Sequence, residues 1–239
     1  MTEPLNSIDL ERKPPSVQAL FNFTLTGATT GIYSYSDEGG IVCGAGKAGD
    51  CIRFVFLLNA AEGAVATLSH PWGCYAFYLD EKPVKRPAVP RHFQLVHDPA
   101  LQGASFAQWA STVIKYLSGC FHAPTIPPFD THEIASVLHN VSSPRLYFRT
   151  IPGVAHGELD AALTLVPSCK NLLLVVFSPI DWLCVDELHH FDSVKVCQGG
   201  GFVVGGALHP YDERVLMVLG EPDSNARSFV FANSQGVCD

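Results

Sequence analysis

The segment from Gly44 to Gly49 has the glycine spacing of a phosphate-binding loop. Its three glycines fit the pattern GxGxxG, in which backbone N–H groups approach a pyrophosphate closely. That chemistry needs a helix directly after the loop, because the N-terminus of the helix meets the phosphates. Residues 51–56 (CIRFVF) are instead rich in β-branched and aromatic side chains, which is typical of a strand. The sequence therefore predicts a hairpin turn at residues 44–49.

A group of side chains of the types that bind metals lies close to residue 190. Asp186, Glu187, His189 and His190 fall on one predicted helix, but no third cluster at metal-like spacing accompanies them. The pattern favours a solvated helix face, and we expect no metal site.

Residues 26–32 (TGATTGI) resemble the TGxxxGI loop of short-chain dehydrogenases, and Tyr78 and Lys82 supply the YxxxK pair of those enzymes. The resemblance implies a small-molecule oxidoreductase with a nicotinamide cofactor. The family needs several βα units between the loop and the tyrosine, whereas the chain between them is short and poor in helical patterns. An oxidoreductase is therefore kept as an alternative.

The charge balance argues against a nucleic-acid partner. The chain has 239 residues, with 15 Lys and Arg against 23 Asp and Glu, and a formal net charge of -8. An acidic surface repels a phosphate backbone. No apolar run approaches the roughly 20 residues of a bilayer helix, and the N-terminus carries no apolar signal core. We therefore expect a cytoplasmic protein that binds neither nucleic acid nor membrane.

The eight cysteines are scattered through apolar stretches. They form no CxxC pair and no compact framework of a small secreted protein. The sequence predicts reduced, buried thiols.

Up to residue 96, the sequence is rich in β-branched, aromatic and glycine residues. It predicts strands at residues 19–25, 31–35, 51–58, 75–79 and 93–96. Residues 81–92 contain three prolines and five Lys, Arg or His residues, which predicts an exposed, irregular crossover.

From residue 106 onward, helical and strand patterns alternate. Phe106, Trp109, Val113 and Leu117 fall on one helical stripe, and Gly119 is a predicted C-terminal stop. Further helices are predicted around residues 134–138, 157–166 and 181–191. Strands are predicted at residues 145–149, 172–177, 202–207 and 215–219. This alternation predicts an α/β layer in which helices cover a sheet.

Three segments of the second half, taken in order, resemble the tubulin/FtsZ superfamily. Residues 129–140 (FDTHEIASVLHN) are similar to the loop-to-helix segment of that family, an Asn-x-Asp-x-x-acid pattern in which Pro128 replaces the Asn. Residues 143–148 (SPRLYF) look like the Pro-Arg-Leu-His-Phe strand of tubulin. Residues 203–220 resemble the two strands and acidic turn that close the second domain of FtsZ. The resemblance covers about residues 105–231.

The first half matches the family more thinly. Residues 17–31 align with the strand and the glycine-rich loop, GGGTGSG, that wraps nucleotide phosphates. Residues 95–101 resemble the segment with the guanine-contacting Asn of tubulin, a position that is Asp98 here. Only 16 residues precede the signature strand, so the first βα units of the family, with their own phosphate loops, are expected to be absent.

The resemblance implies a GTP site shared between subunits. In the family, the glycine loop of one subunit holds the phosphates through backbone N–H groups, and acids of the next subunit position the attacking water. It assigns phosphate binding to Gly27, Thr29, Thr30 and Gly31, guanine binding to Asp98, and catalysis to Asp130 and Glu133.

Most of these residues also have a simpler structural explanation. Asp130 and Glu133 have the spacing of a capping box before an apolar helix, which contributes about 1 kcal/mol. In the glycine loop, Ala28 and Thr29 add Cβ atoms where a phosphate would approach, so a tight turn is the alternative there.

The sequence thus predicts an α/β protein of tubulin/FtsZ type with a mixed sheet. A truncated, β-rich remnant of a nucleotide-binding domain is expected at residues 1–104, and an α/β second domain at residues 105–239. The expected function is that of a degenerate cytoskeletal protein, a non-catalytic or weakly GTP-binding assembly partner of tubulin-like subunits or of itself. Its GTPase activity is expected to be weak or lost, and an active GTP-hydrolysing filament protein is the alternative.

Overall fold

The protein folds as a sheet with helices on both faces, in a computed structural model that describes residues 34–35, 41–45, 52–66, 68, 74–122, 125–126, 131–182, 186, 188, 201–208 and 213–223. The strands, in chain order, are β1 (Ser34–Tyr35), β2 (Ile41–Ala45), β3 (Ile52–Leu58), β4 (Cys74–Asp80), β5 (His92–Val96), β6 (Thr125–Ile126), β7 (Arg145–Pro152), β8 (Cys169–Ser178), β9 (Phe202–Leu208) and β10 (Val215–Pro222). The helices are α1 (Pro99–Gln102), α2 (Phe106–His122), α3 (Thr131–His139) and α4 (Leu159–Leu163).

The ten strands of the described residues form one mixed sheet, in the order β1-β2-β3-β4-β5-β7-β10-β8-β9-β6. β3, β4, β5 and β7 lie side by side and are parallel to one another. β8 runs in the same direction, because β7 and β8 both pair antiparallel with β10. β9 is in turn parallel to β8. The predicted α/β fold with a mixed sheet is confirmed.

One face of the sheet is covered by α2 and α3. α2 buries Trp109, Val113 and Leu117, which are spaced four residues apart and therefore lie on one side of the helix. They belong to one apolar cluster with Phe56 and Phe77 of the sheet. Burial of each such side chain contributes about 1.5–3 kcal/mol. α2 has 17 residues, yet no helix in the described part of the chain is long and apolar enough to cross a membrane.

The opposite face carries two smaller apolar layers. Leu159 and Leu163 of α4 pack with Leu174 of β8. Nearer the start of the sheet, Ala66 of the loop after β3 packs with Tyr78 of β4. The second half of the sheet therefore has helices on both faces, whereas the first half has a helix layer on one face and a loop on the other.

A short parallel pairing between β5 and β7 joins the two halves of the sheet. Gln94 pairs with Arg145, and Leu95 pairs with Leu146. The domain boundary proposed at residues 104–105 lies between α1 and α2. The sheet and the apolar cluster under α2 and α3 both extend across it.

Most predicted strands are confirmed to within a few residues. β3, β4, β5, β7, β8, β9 and β10 occupy the predicted positions. β2 and β3 pair antiparallel from Ala45 and Ile52 onward, as the predicted hairpin requires, and residues 46–51 between them lie outside the described residues. Cys74, Cys120 and Cys169 are buried free thiols, as predicted. The strand predicted at residues 19–25 lies outside the described residues.

Gly119 does not end α2, contrary to the prediction, and the helix continues to His122. A Cβ at Gly119 would come 2.9 Å from Cε1 of Phe177 in β8. Glycine is needed here for the close approach of helix and strand, because interiors leave no space for an extra carbon.

The helix predicted at residues 157–166 is wrong in extent. It is only α4, because Gly157 has a φ of 81°, which no right-handed helix accommodates. At the start of the helix predicted at residues 181–191, Ile180–Trp182 forms a 3-10 turn, and the two further described residues of that segment, Asp186 and Leu188, are helical. His189 and His190 lie outside the described residues.

The crossover at residues 81–92 is irregular, as predicted, but it is not exposed throughout. The side chain of Arg86 is only 4% exposed and forms an ion pair with Asp80, which is 1% exposed. A carboxylate at the end of a buried strand is costly without a partner. The prediction of an exposed crossover is therefore wrong at Arg86.

Candidate functional site

The C-terminal ends of six parallel strands lie along one edge of the sheet. In open α/β sheets, ligands bind in the crevice outside these ends. We call this edge the carboxyl edge, and define it by the last residues of the six strands: Leu58, Asp80, Val96, Pro152, Ser178 and Leu208.

Asp98 lies at the carboxyl edge, directly after β5. Its Oδ1 accepts a hydrogen bond from the backbone N–H of Ala100 at 3.0 Å, which makes Asp98 the N-cap of α1. Pro99 takes the first helical position, and Gly103, with a φ of 59°, ends the helix. One of the two carboxylate oxygens therefore serves to begin a short helix.

The charge of Asp98 also acts on Tyr147 of β7. Burial raises the pKa of the Tyr147 hydroxyl, Arg149 opposes this by a hydrogen bond and by its positive charge, and the negative charge of Asp98 raises the pKa further. Arg149 in turn donates from Nη1 to the carbonyl oxygen of Leu165 at 3.0 Å. The charge of Asp98 thus acts on Tyr147, a side chain on the face of the sheet that carries α4.

Glu133 lies in the first turn of α3 and is exposed. The same helix buries Ile134 and Leu138 against the sheet. A negative side chain in a first turn is favoured by the helix dipole. α3 covers the opposite face of the sheet from α4, so Glu133 and Asp98 are placed in different layers.

The remaining assigned residues lie outside the part of the chain that the structure describes. These are Gly27, Thr29, Thr30, Gly31 and Asp130. Their roles in phosphate binding and catalysis stay predictions.

The most extensive polar cluster of the carboxyl edge was not found from sequence. Nε and Nη2 of Arg86 donate to Oδ2 and Oδ1 of Asp80 at 3.1 and 2.5 Å. Gln94 of β5 adds a hydrogen bond from Nε2 to Oδ2 of Asp80 at 2.7 Å. Nη1 and Nη2 of Arg86 also donate to the carbonyl oxygens of Ala61 and Ala60 at 2.7 and 2.8 Å. The only sequence signal was a carboxylate that ends an apolar strand and is followed by a basic segment.

The neighbouring strand ends are bonded within the chain as well. Asn59, after β3, accepts at Oδ1 from the backbone N–H of Glu81 at 2.9 Å. His97, after β5, places Nε2 2.9 Å from the carbonyl oxygen of Ala104. Asn59, Asp80 and His97, at the ends of β3, β4 and β5, therefore each bond to other groups of this chain.

Tyr78 and Lys82 do not form the pair that a short-chain dehydrogenase would need. Tyr78 is 2% exposed, and its hydroxyl contacts the backbone N–H of Ala66 at 2.9 Å and Nδ1 of His92 at 3.0 Å. Lys82 is exposed in the irregular segment after β4. The hydroxyl that would exchange a proton with a substrate is thus buried in the fold.

A cavity of about 530 Å³ opens at the carboxyl edge beyond β7 and β8. This volume falls in the range of small-molecule sites, about 300–1,000 Å³.

Asp181 and Glu213 are exposed, whereas Arg214 is buried. Burial lowers the pKa of the nearby Lys115, and the negative charge of Glu213 raises it. The charged side chains of the lining are thus two carboxylates and one guanidinium. The lining residues are Gly153, Val154, Ala155, His156, Asp181, Trp182, Glu213 and Arg214.

A buried carboxylate organises the opposite edge of the sheet. Glu221, at the end of β10, is 3% exposed and accepts hydrogen bonds from Ser142 Oγ at 2.6 Å, Ser143 N at 2.9 Å and Asn171 Nδ2 at 2.7 Å. Burial raises its pKa, but the hydrogen bonds from Ser142, Asn171 and Ser143 outweigh this and leave the pKa lowered. Asn171 also accepts from the backbone N–H of Gly201 at 2.8 Å. The network fastens the turn between α3 and β7 to the sheet.

No family model matches the sequence, and a search of curated proteins finds no match. Among solved structures, the chain is similar to a point mutant of FtsZ from M. jannaschii, at 12% identity and a TM-score of 0.41, over 48% of this chain and 39% of that chain. It is similar to the GDP-bound monomer of CetZ1 from Haloferax volcanii, at 13% identity and a TM-score of 0.43, over 66% of this chain and 58% of that chain. It is also similar to the GTPγS-bound protofilament of CetZ2 from the same organism, at 12% identity and a TM-score of 0.40, over 64% of this chain and 47% of that chain.

The class of the fold is α/β, with helices on both faces of a mixed sheet. The three solved structures named above are FtsZ and CetZ proteins. The chain spans from 39% to 58% of the length of these three proteins. The likeness concerns the fold over part of the chain.

Proposed function

We propose that this chain is a cytoplasmic, tubulin/FtsZ-like cytoskeletal protein that acts as a non-catalytic or weakly GTP-binding assembly partner of a tubulin-like filament or of itself. The observation that carries the proposal is the hydrogen bonding of the polar side chains at the carboxyl edge. The polar side chains that end β3, β4 and β5 bond to groups of the chain itself.

A nucleotide at this edge would compete with those contacts. The carboxylate of Asp80 is shared by Arg86 and Gln94, and one oxygen of Asp98 begins α1. Each hydrogen bond to a charged group that must be broken costs about 1.5–3 kcal/mol. These groups support weak or absent GTP binding and a weak or lost GTPase activity.

The proposed docking surface is the start of α3. Glu133 is exposed there, on a helix whose apolar side chains are buried in the core. A rigid helix presents a charge in a fixed position, and charges at the rim of an interface govern the rate and register of association. We include Asp130 in this surface on the strength of the family resemblance.

Calorimetry of the purified full chain with GTP and with GDP tests the nucleotide part of the proposal. We expect no heat of binding at micromolar concentrations. Stoichiometric GTP in the purified protein, or micromolar affinity, would overturn the proposal and favour an active GTP-hydrolysing filament protein. Binding of a nicotinamide cofactor would favour the oxidoreductase instead, and the buried hydroxyl of Tyr78 opposes that outcome.

Sedimentation tests the assembly part. The chain is spun alone and with preformed polymers of tubulin and of FtsZ, with an inert globular protein as the control. We expect it to enter the pellet in at least one of these mixtures or by itself. Failure to sediment under all conditions would contradict the assembly role.

A further inference from the structure

The loop between β3 and β4 is fastened to the sheet at two separate points. At its start, Arg86 donates to the carbonyl oxygens of Ala60 and Ala61 at 2.8 and 2.7 Å. At its other described end, the backbone N–H of Ala66 donates to the hydroxyl of Tyr78 at 2.9 Å. The two fastenings use different chemistry, because Arg86 is paired with a carboxylate, whereas Tyr78 is joined to a histidine.

His92 of β5 holds the hydroxyl of Tyr78 from the other side. Nδ1 of His92 lies 3.0 Å from the Tyr78 oxygen, and both side chains are buried, at 6% and 2% exposure. A backbone N–H can only donate, so the Tyr78 oxygen accepts from Ala66. The proton of the Tyr78 hydroxyl can bond Nδ1 when the imidazole is neutral and Nδ1 carries the lone pair; this is the tautomer on which the proposal below is built.

The groups around His92 are mostly positive. Arg91 precedes it in the chain, and the guanidinium of Arg86 lies 4.6 Å from the centre of the Tyr78 ring. On β7, Arg145 pairs with Gln94, two residues along from His92 on the same face of β5.

Among the described residues, three acids lie on the elements packed around this site. Asp80 shares the face of Tyr78 on β4, but its carboxylate is engaged by Arg86 and Gln94. Glu62, on the loop itself, and Glu81, directly after β4, are exposed to solvent. The carboxylate on the face of Tyr78 is therefore already paired with a cation.

We propose that His92 and Tyr78 form a pH-sensitive latch on the loop after β3. Protonation of His92 converts Nδ1 from an acceptor into a donor that faces the Tyr78 oxygen, so the hydroxyl proton has to turn toward the N–H of Ala66. The bond to Ala66 then breaks, and the end of the loop at residues 62–66 opens. Arg86 keeps Ala60 and Ala61 in place, so the opening is confined to one end.

The direction of the pH dependence follows from the same groups. Burial lowers the pKa of His92, and the positive charge of Arg91 lowers it further. The open loop exposes the imidazole to water, so the open form binds the proton more readily than the closed form. The closed form is therefore fully stable above the ordinary pKa of histidine and is lost as the pH falls below it.

Hydrogen exchange of the full chain, read by mass spectrometry at about pH 7.5 and about pH 5.5 and corrected for intrinsic rates, tests the latch. We expect protection at residues 62–66 to fall by up to about tenfold at the lower pH, the limit reached one pH unit below the ordinary pKa of histidine when only the open form takes the proton. Protection at residues 59–61 should stay unchanged. His92→Gln should remove the pH dependence, and the control His156→Gln, at an exposed position, should retain it.

The wild-type protein provides a second measurement if His92→Gln fails to fold. The NMR titration of the His92 ring and that of the Ala66 amide should share one midpoint below the ordinary pKa of histidine. Different midpoints, equal loss of protection at residues 59–61, or an unchanged pH response in His92→Gln would each overturn the proposal.

Discussion

Arg86 and Asp80 form a two-point ion pair in which both side chains are almost fully buried. Nε and Nη2 of Arg86 meet Oδ2 and Oδ1 of Asp80 at 3.1 and 2.5 Å. The pair closes a short segment of irregular chain back onto the strand that precedes it. The ion pair therefore holds the Pro-rich crossover at residues 81–92 against the end of β4 at the carboxyl edge.

The first prediction concerns the loss of this cation. Arg86→Ala leaves the Asp80 carboxylate buried with a single amide donor, so we expect the free energy of unfolding to fall by about 3–5 kcal/mol. Arg86→Lys should recover only part of this, because an ammonium group cannot bond the carboxylate and two carbonyl oxygens in a plane. Urea denaturation measures both changes. Lys85→Ala, at the exposed neighbouring position, is the matched control. Equal effects of Arg86→Ala and Lys85→Ala on the free energy of unfolding would show that the Arg86–Asp80 pair does not contribute to stability.

The second prediction concerns the buried carboxylate of Glu221. Its folded pKa is lowered, so it contributes stability above the ordinary carboxyl pKa and loses that contribution as the pH falls through the folded value. Glu221→Gln places an amide N–H₂ against the donors of Ser142 and Ser143, which should cost about 2–3 kcal/mol at neutral pH. The variant should also lose part of the acid dependence of stability. Denaturation from neutral to acid pH checks both effects, with Glu158→Gln at an exposed position as the control.

The third prediction concerns the close contact between Gly119 and Phe177. Alanine at position 119 favours the helix by about 1 kcal/mol, but its Cβ would lie 2.9 Å from the Phe177 ring. Overpacking costs about 1–3 kcal/mol, so Gly119→Ala should destabilise the protein. Phe177→Leu in the same chain should relieve the clash, and the double variant should be more stable than the sum of the two single changes. Additive effects in thermal melts would contradict the contact.

Gly119 and Arg86 also show what the sequence could not predict. A glycine near the end of a helical pattern suggests a stop, and only the packing of α2 on β8 shows that it is a point of close approach. Arg86 lies in a basic, Pro-rich segment that looks solvated, and its burial depends on how that segment folds back onto Asp80. The strands and α2 could be predicted because their periodicity is local. The carboxyl edge could not, because its contacts join residues that are distant in sequence, such as Ala61 and Arg86.

The fourth prediction separates the two roles of Asp98. As the N-cap of α1, it should tolerate Asp98→Asn with little change in stability, whereas Asp98→Ala should cost about 1 kcal/mol. A contact to guanine needs an acceptor oxygen, which Asn also supplies, so only Asp98→Ala would then weaken GTP binding. We expect the capping pattern in denaturation and no effect of Asp98→Ala in calorimetry. Lower GTP affinity of Asp98→Ala, with the affinity kept in Asp98→Asn, would favour a nucleotide site.

The last prediction concerns the surface at the start of α3, where capping and docking lead to different results. If Asp130 only caps the helix, Asp130→Asn should change little, because Asn caps as well as Asp, and Asp130→Ala should cost about 1 kcal/mol. If the surface contacts another subunit, Glu133→Gln and Asp130→Asn should leave the melting temperature almost unchanged and still reduce sedimentation with the polymer or with the protein itself. Glu158→Gln is the control, because Glu158 is also exposed and makes no side-chain cap.

Salt provides the decisive comparison between the two roles. The Debye length shortens from about 10 Å at 0.1 M ionic strength to about 3 Å at 1 M, so a docking charge loses its effect at high salt. The difference in sedimentation between the wild type and Glu133→Gln should therefore shrink as salt is raised, whereas any difference in thermal stability that arises from packing should persist. Glu133 is exposed on a helix that is anchored through Ile134 and Leu138, so its removal changes the surface and leaves the core intact. Unchanged sedimentation with both charges neutralised, at low and at high salt, would leave capping as the whole explanation of these two acids.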